Sequence, residues 1–449
     1  MTKDLTTGSP MRLILGFALP TLLGMLFQQL YNMMDTMIVG KLLGATALAA
    51  VGSTGSINFF VIGFCMGVCN GFAIPVAQRM GAGDYSQMRR YVANAAVLSA
   101  GIAVVIAAVT ALFCRQILIL IRTPKNILDG AYLYLVIIFI GIPFTVLYNM
   151  AAGILRALGD SKSPFLFLAV STVLNVAGDL LTILVFGMGV EGAALATILA
   201  QAISGICCVI YMKKKFRILT FGQEERQVSG ERMKTLLYMG LPMGLQFSIT
   251  AIGSVMMQSA VNSLGSVIVA AFTAGLKVKQ FVMAPFDALA NTSATFCGQN
   301  LGARRLDRIR RGILEMFLIG FAYSVIAALG MIFLGDRMVG IFVDSSETEV
   351  IRYAHQYLRC MGYFFSLLAA LNIIRSAVQG LGHSGSAMLA GLLEMLARTG
   401  MALFVIPVYG YTAACFTDQT AWVAATIYIV IDFLLIMRKE QARLFPRQQ

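Results

Sequence analysis

The chain has 449 residues, 58% of them hydrophobic and only 12% charged, with a formal net charge of +13. A soluble domain carries about 25% charge, so the composition excludes an ordinary soluble enzyme. The excess of base would suit a nucleic acid, but its placement between long apolar runs excludes that partner as its explanation.

Twelve apolar runs follow one another, roughly at 13–39, 47–74, 93–113, 128–152, 165–186, 191–211, 236–263, 267–295, 313–334, 350–374, 387–407 and 412–437. Each is close to the ~20 residues that cross a hydrocarbon core of ~30 Å. They are continuous and do not alternate with period two, so they read as helices and not as barrel strands. The polar start, Met1 to Met11, and the length of the first run argue against a cleaved signal peptide.

The even number of spans allows both termini to face the cytoplasm. The cytoplasmic side then holds Lys3, Arg12, Arg79, Arg89, Arg90, Arg156, Lys162, the Lys213–Lys215 run, Arg304, Arg305, Arg308, Arg438 and Arg447, among others. In all it holds 23 of the 34 basic residues, the asymmetry expected of a multi-pass protein of the cell membrane. Cys65, Cys69, Cys207, Cys208 and Cys415 fall within spans, no CxxC pair occurs, and the two histidines are far apart. Neither a disulfide framework nor a zinc site is expected.

The chain repeats once. "ALPTLLGMLFQQ" (18–29) answers "GLPMGLQFSITA" (240–251), "IPVAQRMGAGD" (74–84) answers "ATFCGQNLGAR" (294–304), and "LRALGDSKS" (155–163) answers "VQGLGHSGS" (378–386). Six spans per repeat, an even number, give both halves one orientation. The expected fold is an all-α polytopic membrane protein: twelve transmembrane helices in two six-helix lobes related by a pseudo-twofold axis along the membrane normal. The lobes are expected at 1–211 and 236–449, joined by a charged cytoplasmic linker at 212–235.

Polar residues inside the spans carry the functional signal. Asp35 lies in the first run, where an aspartate costs ~2.5–3.5 kcal/mol on translocon scales. Gln28, Tyr31 and Asn32 share its helix face, seven, four and three residues away. Span five adds Asp179 on a stripe with Asn175, span six adds Thr197, and span four adds Tyr134 and Asn149. Two carboxyl groups taken out of water near one another cannot both stay ionised cheaply, so one can hold and release a proton. The same oxygens would suit Na⁺, and the residues do not choose between the ions. Pro20 is expected to bend the first helix. In the second half Glu394 and Arg398, at i,i+4, are expected to neutralise each other, while Lys277, Lys279 and Asp287 on span eight either line a cavity or pair between helices.

These motifs resemble the multidrug and toxic compound extrusion (MATE) transporters over essentially the whole chain. The resemblance is carried by "ALPTLLGMLFQQLYNMMDTMIVGKLLGATALAAVG", "AQRMGAGD", "LRALGDSKSP", "LNVAGDLL", "GVEGAALAT" and "MAPFDALANTSATFCGQNLGA". It implies a secondary antiporter, not an enzyme, that exports organic, often cationic, compounds by alternating access against H⁺ or Na⁺. No further cofactor is implied. In the prokaryotic branch often called DinF-like, the ion-responsive pattern falls here on Asp35, Tyr134, Asn175, Asp179 and Thr197; if Na⁺ rather than H⁺ is the coupling ion, its oxygens would come from Asp35, Asn175, Asp179 and Thr197. Another branch uses a glutamate in span seven, where this chain has "LQFSITAIG", and span ten offers Asn372 and Arg375 but no aspartate. The expected partners are small organic molecules and membrane lipid, with the chain acting as a monomer. A lipid-linked oligosaccharide flippase shares the two-lobed design, but should hold a pyrophosphate with several basic cavity residues; Lys277, Lys279, Arg375 and Arg398 are the candidates. Aspartate-rich metal motifs and a G-x-x-x-x-G-K-[ST] loop are both lacking, which argues against a membrane transferase and against direct ATP drive.

Overall fold

The computed structural model describes residues 4–344 and 346–444, and among these the regular structure is helical throughout. Lys3 and Arg447 lie outside the described residues. In the first half α1 runs Pro10–Ser53, α2 Gly55–Gly81 and α3 Tyr85–Leu112. The short α4, Cys114–Leu120, leads to α5 (Lys125–Ile140) and α6 (Ile142–Ala157). Next, α7 (Lys162–Leu180) closes in a π-helical turn, Leu181–Val185, ahead of α8 (Val190–Lys215). The second half has α9 (Gly230–Asn262), α10 (Ser266–Gly302), α11 (Leu306–Val339), α12 (Thr348–Gly362) and α13 (Phe365–Gly380). It ends with α14 (Ser384–Gly400), a second π-helical turn at Met401–Val405, α15 (Ile406–Cys415) and α16 (Thr417–Leu444).

Ten helices among the described residues are long and apolar enough to cross a membrane, and two bent pairs raise the number to twelve. The pairs are α5 with α6, bent by 47°, and α12 with α13, bent by 57°. At the first bend Pro143 supplies no N–H and its ring crowds the carbonyl four residues back, so the helix cannot run straight through Gly141. The second span departs from its expected 47–74. Ala45 to Ser53 stay on α1 beyond a non-helical Gly44 (φ 85°), and the hydroxyls of Ser53 and Thr54 turn back to the carbonyls of Ala50 and Val51. Pro20 sits inside α1, whose break falls at Gly44.

The internal repeat is also written in the backbone. Left-handed residues occur in matched pairs, Gly44 with Gly265, Gly83 with Arg304, Gly159 with Gly382 and Gly187 with Gly410. Three of these pairs are glycines, which adopt positive φ without a steric penalty. Arg304 (φ 57°) does so at a cost of about 1 kcal/mol.

The chain divides into two compact units, but not at the linker. One unit is built on Leu23–Gly244; the other combines Leu5–Leu22 with the chain from Leu245 onward. Packing of the two short exchanged segments explains why. At the start of α9, Gly240 and Gly244 meet Gly67 and Gly71 of α2 at backbone distance. A Cβ on Gly71 would stand 2.5 Å from Gly240 Cα, and one on Gly67 2.5 Å from the Met243 carbonyl oxygen. Small residues four apart on both helices permit this approach. In the other unit Leu5, Ile14 and Phe17 pack with Leu289, Phe296, Met316 and Ile373. There the Leu5 N–H donates to Gln299 Oε1 (3.0 Å), and Arg308 Nη1 donates to the Gly8 carbonyl (2.9 Å).

The segment between α8 and α9 is docked on the first unit. Glu225 accepts two hydrogen bonds from the Arg89 guanidinium, both at 2.6 Å, and one from the Gly222 N–H at 2.9 Å. These donors hold its carboxyl down to about 2. Because its folded value lies below the unfolded one, near 4.3, the stabilisation is complete above that value and is lost as pH falls toward 2. Glu225→Gln is expected to destabilise the purified protein by about 1–3 kcal/mol at neutral pH, with the difference from the parent shrinking below pH 4. Thermal melts across pH 3 to 7 measure it; parallel curves at all pH values would contradict this role.

Candidate functional site

Four helices of the first unit converge on a polar cluster. On α1 Tyr31 and Asp35 lie four residues apart and so share a face; Asn175 and Asp179 do the same on α7, with Thr197 on α8 and Tyr134 on α5. Asn175 and Asp179 are 0% exposed, and Asp35 is 8% exposed. The carboxyl groups of Asp35 and Asp179 lie within hydrogen-bonding reach of each other. Tyr31 donates its hydroxyl to Thr197 Oγ1 at 3.2 Å. The Asn175 amide is satisfied when its nitrogen faces Asp179 Oδ2 and its oxygen faces the Thr197 hydroxyl and N–H, each at 3.2 Å. Tyr134 closes the cluster beside the two carboxyls.

Two features give this cluster a capacity beyond packing. Among the described residues Asp35 Oδ1 and Asp179 Oδ1 are buried without a hydrogen-bond partner, a costly arrangement that calls for a proton, a cation or water. Among the described residues neither carboxyl forms an ion pair. Immediately after Asp179 the helix widens into the Leu181–Val185 π-helical turn, a distortion frequent at functional positions. Two carboxyls with neutral amide and hydroxyl oxygens form a hard donor set that suits H⁺ or Na⁺. No group of three or more His, Cys, Asp or Glu that could hold a metal ion occurs among the described residues.

Among the described residues the remaining first-half candidates form no hydrogen bond with the pair. Asn149 donates to the Thr145 carbonyl of its own helix (2.8 Å). Gln28 is half-buried on the Tyr31–Asp35 face of α1, and Asn32 on that face is exposed.

The second unit holds a chain of buried charges. Glu394 bridges Arg375 (2.6 Å) and Arg398 (3.2 Å), Arg398 continues to Asp418 (3.0 Å), and Asp418 also takes the Lys279 ammonium and the Tyr357 hydroxyl. The Glu394–Arg398 pairing expected from i,i+4 spacing is present, inside a larger network. Of the span-eight residues, Lys279 is paired, while Lys277 and Asp287 are exposed. Both lie on a polar stripe of α10 with Thr273, Gln280 and Asn291, at steps of three and four residues or their sums. Charges exposed so far along a span are compatible with water, not with lipid. Asp418 escaped the sequence reading. Its signal was the polar run Thr417-Asp418-Gln419-Thr420 at the head of α16, whose first three residues are at most 1% exposed.

Comparison with known proteins bears on the family and the fold. The MatE family model matches residues 20–181 and 242–408, beginning in each half at the repeated proline. The probable multidrug resistance protein YpnP of Bacillus subtilis is 30% identical over 91% of this chain and 89% of its own length. A protein of Shewanella oneidensis named FAD transporter is 23% identical over 86% of this chain and 85% of its own. The crystal structure of MATE in complex with MaL6 superposes with a TM-score of 0.90 at 22% identity, covering 98% of this chain and 99% of that one.

Proposed function

Since this chain belongs to the MatE family of membrane transporters, we propose that it is an antiporter that exports organic compounds in exchange for H⁺ or Na⁺, with Asp35 and Asp179 as the coupling pair. The carrying observation is the contact between these two buried carboxyls, each of which, among the described residues, has one oxygen without a hydrogen-bond partner and forms no ion pair. Asn175, Thr197, Tyr31 and Tyr134 orient the pair and supply further oxygens. This pattern, with no acid in "LQFSITAIG", supports the DinF-like branch. The basic linker and tail orient both termini to the cytoplasm.

Coupling then follows from linkage. A cation that binds the pair and a substrate that displaces it weaken each other by the same factor, so cation entry on one side drives release of substrate on the other. The flippase reading needs several free basic residues in a cavity. Lys279, Arg375 and Arg398 are occupied by carboxylates, which leaves Lys277 alone and favours the antiporter.

The test is transport in proteoliposomes with a pH gradient or a Na⁺ gradient imposed separately. The substrate panel holds an organic cation and, because of the Shewanella relative's name, flavin adenine dinucleotide. Efflux that responds to one gradient is expected. Efflux indifferent to both would reject the antiporter.

A further inference from the structure

At the end of the second unit farthest along α11 from the Arg304–Arg311 cluster lies a cavity of about 560 Å³. Asp336 near the end of α11 and one face of α12 line it. On α12 the residues Val350, Ala354, Tyr357, Leu358 and Met361 form the buried side. The opposite side presents Arg352, Gln356 and Arg359, four and seven residues apart, with His355 beside them. Arg352 and Arg359 are exposed, and among the described residues neither forms an ion pair.

Three details make this a built site and not a loose charged face. Arg352 stacks over the Tyr353 ring, 5.0 Å from guanidinium carbon to centroid. That ring is fixed in turn by edge-on contact with Tyr411, whose hydroxyl donates to the Tyr353 carbonyl at 2.8 Å. His355 is held at both nitrogens, Nδ1 by Asp336 Oδ1 (2.7 Å) and Nε2 by the Ile332 carbonyl (3.0 Å). The one acidic group in the lining is thus engaged, and the two arginines are left to face a ligand. Close by in the chain, Phe333, Ile341 and Tyr363 are exposed, so the cationic cavity is flanked by surface of the kind acyl chains cover.

We propose that this cavity binds the phosphodiester headgroup of an anionic phospholipid, held between Arg352 and Arg359. Guanidinium groups match phosphate oxygens by shape as well as by charge. An amphipathic helix with a basic face is the element that meets headgroups at a membrane surface. The bend between α12 and α13 lies one turn beyond Arg359, so a lipid held here would contact the outer arm of a broken span.

Purified protein in detergent, mixed with phosphatidylglycerol or phosphatidylcholine at equal concentration, is read by native mass spectrometry for retained lipid. The parent is expected to retain phosphatidylglycerol in preference. The double variant Arg352→Gln/Arg359→Gln should lose roughly thirtyfold in that affinity, from about fivefold per basic residue near anionic lipid. Arg337→Gln, at the same end but outside the lining, should leave it unchanged. Arg352→Lys/Arg359→Lys keeps the charge and covers the case of a double glutamine variant that does not fold; it should retain the preference in weaker form. Equal retention of both lipids by the parent, or an unchanged preference in the glutamine variant, overturns the proposal. So does displacement of bound lipid by inorganic phosphate at matched concentration, which would make the site one for a free anion.

Discussion

Asp179→Asn is expected to leave a folded, membrane-inserted protein whose efflux no longer follows either ion gradient. The side chain is 0% exposed and its Oδ2 already faces the Asn175 amide. An amide of the same shape fits the space, and a neutral group is cheaper there than a carboxylate. What it removes is the exchangeable charge. One proton moving down one pH unit supplies about 1.4 kcal/mol, which sustains roughly a tenfold substrate gradient in one-to-one exchange. Without the acid that tenfold should collapse to one, while the melting temperature stays near the parent's. Proteoliposome transport per protein, paired with a thermal melt, measures both. Parent-like transport in a well-folded Asp179→Asn protein would make the cluster a structural network.

Asp418→Ala should have the opposite character, a collapse of stability. Asp418 is 1% exposed and receives Lys279, Arg398 and the Tyr357 hydroxyl. Its removal leaves a half-buried ammonium without a carboxylate and a buried guanidinium with only Glu394. Breaking a buried ion pair from one side costs about 3–5 kcal/mol, so expression and detergent-melt temperature should fall steeply. Glu394→Gln should cost less, because Arg398 keeps Asp418 and Arg375 keeps Asn372 at 2.7 Å. Reversal of that order would mean that Glu394, not Asp418, anchors the network.

The two sites differ in how much of them can be read from the chain. Asp35, Asn175, Asp179 and Thr197 were legible because charge and amide in an apolar run stand out locally, and helical spacing fixes their faces. Their meeting in space is consistent with that reading. Lys277 and Lys279 were not separable, since both are lysines in one apolar stretch. Only the position of Asp418, far off in sequence, divides a paired ammonium from an exposed one. Asp418 itself was hidden at a helix start, where acids are ordinary. Span boundaries failed at α2 for a related reason: hydropathy does not register the continuation of α1 past Gly44. The unit boundary was invisible to composition too, although the glycines at 67, 71, 240 and 244 were in plain view. Their spacing says that a helix is approached closely, not by which neighbour.

That exchange of opening segments bears on ancestry. Residues 5–22 belong with the second half and the start of α9 with the first, each ending close to its repeated proline, Pro20 or Pro242. Consider a gene half as long, encoding a single six-span repeat. If its first turns of helix packed as they do here, they would lie in the bundle of a sister copy, as in domain-swapped pairs. Joining two such copies end to end would tether the pair within one chain.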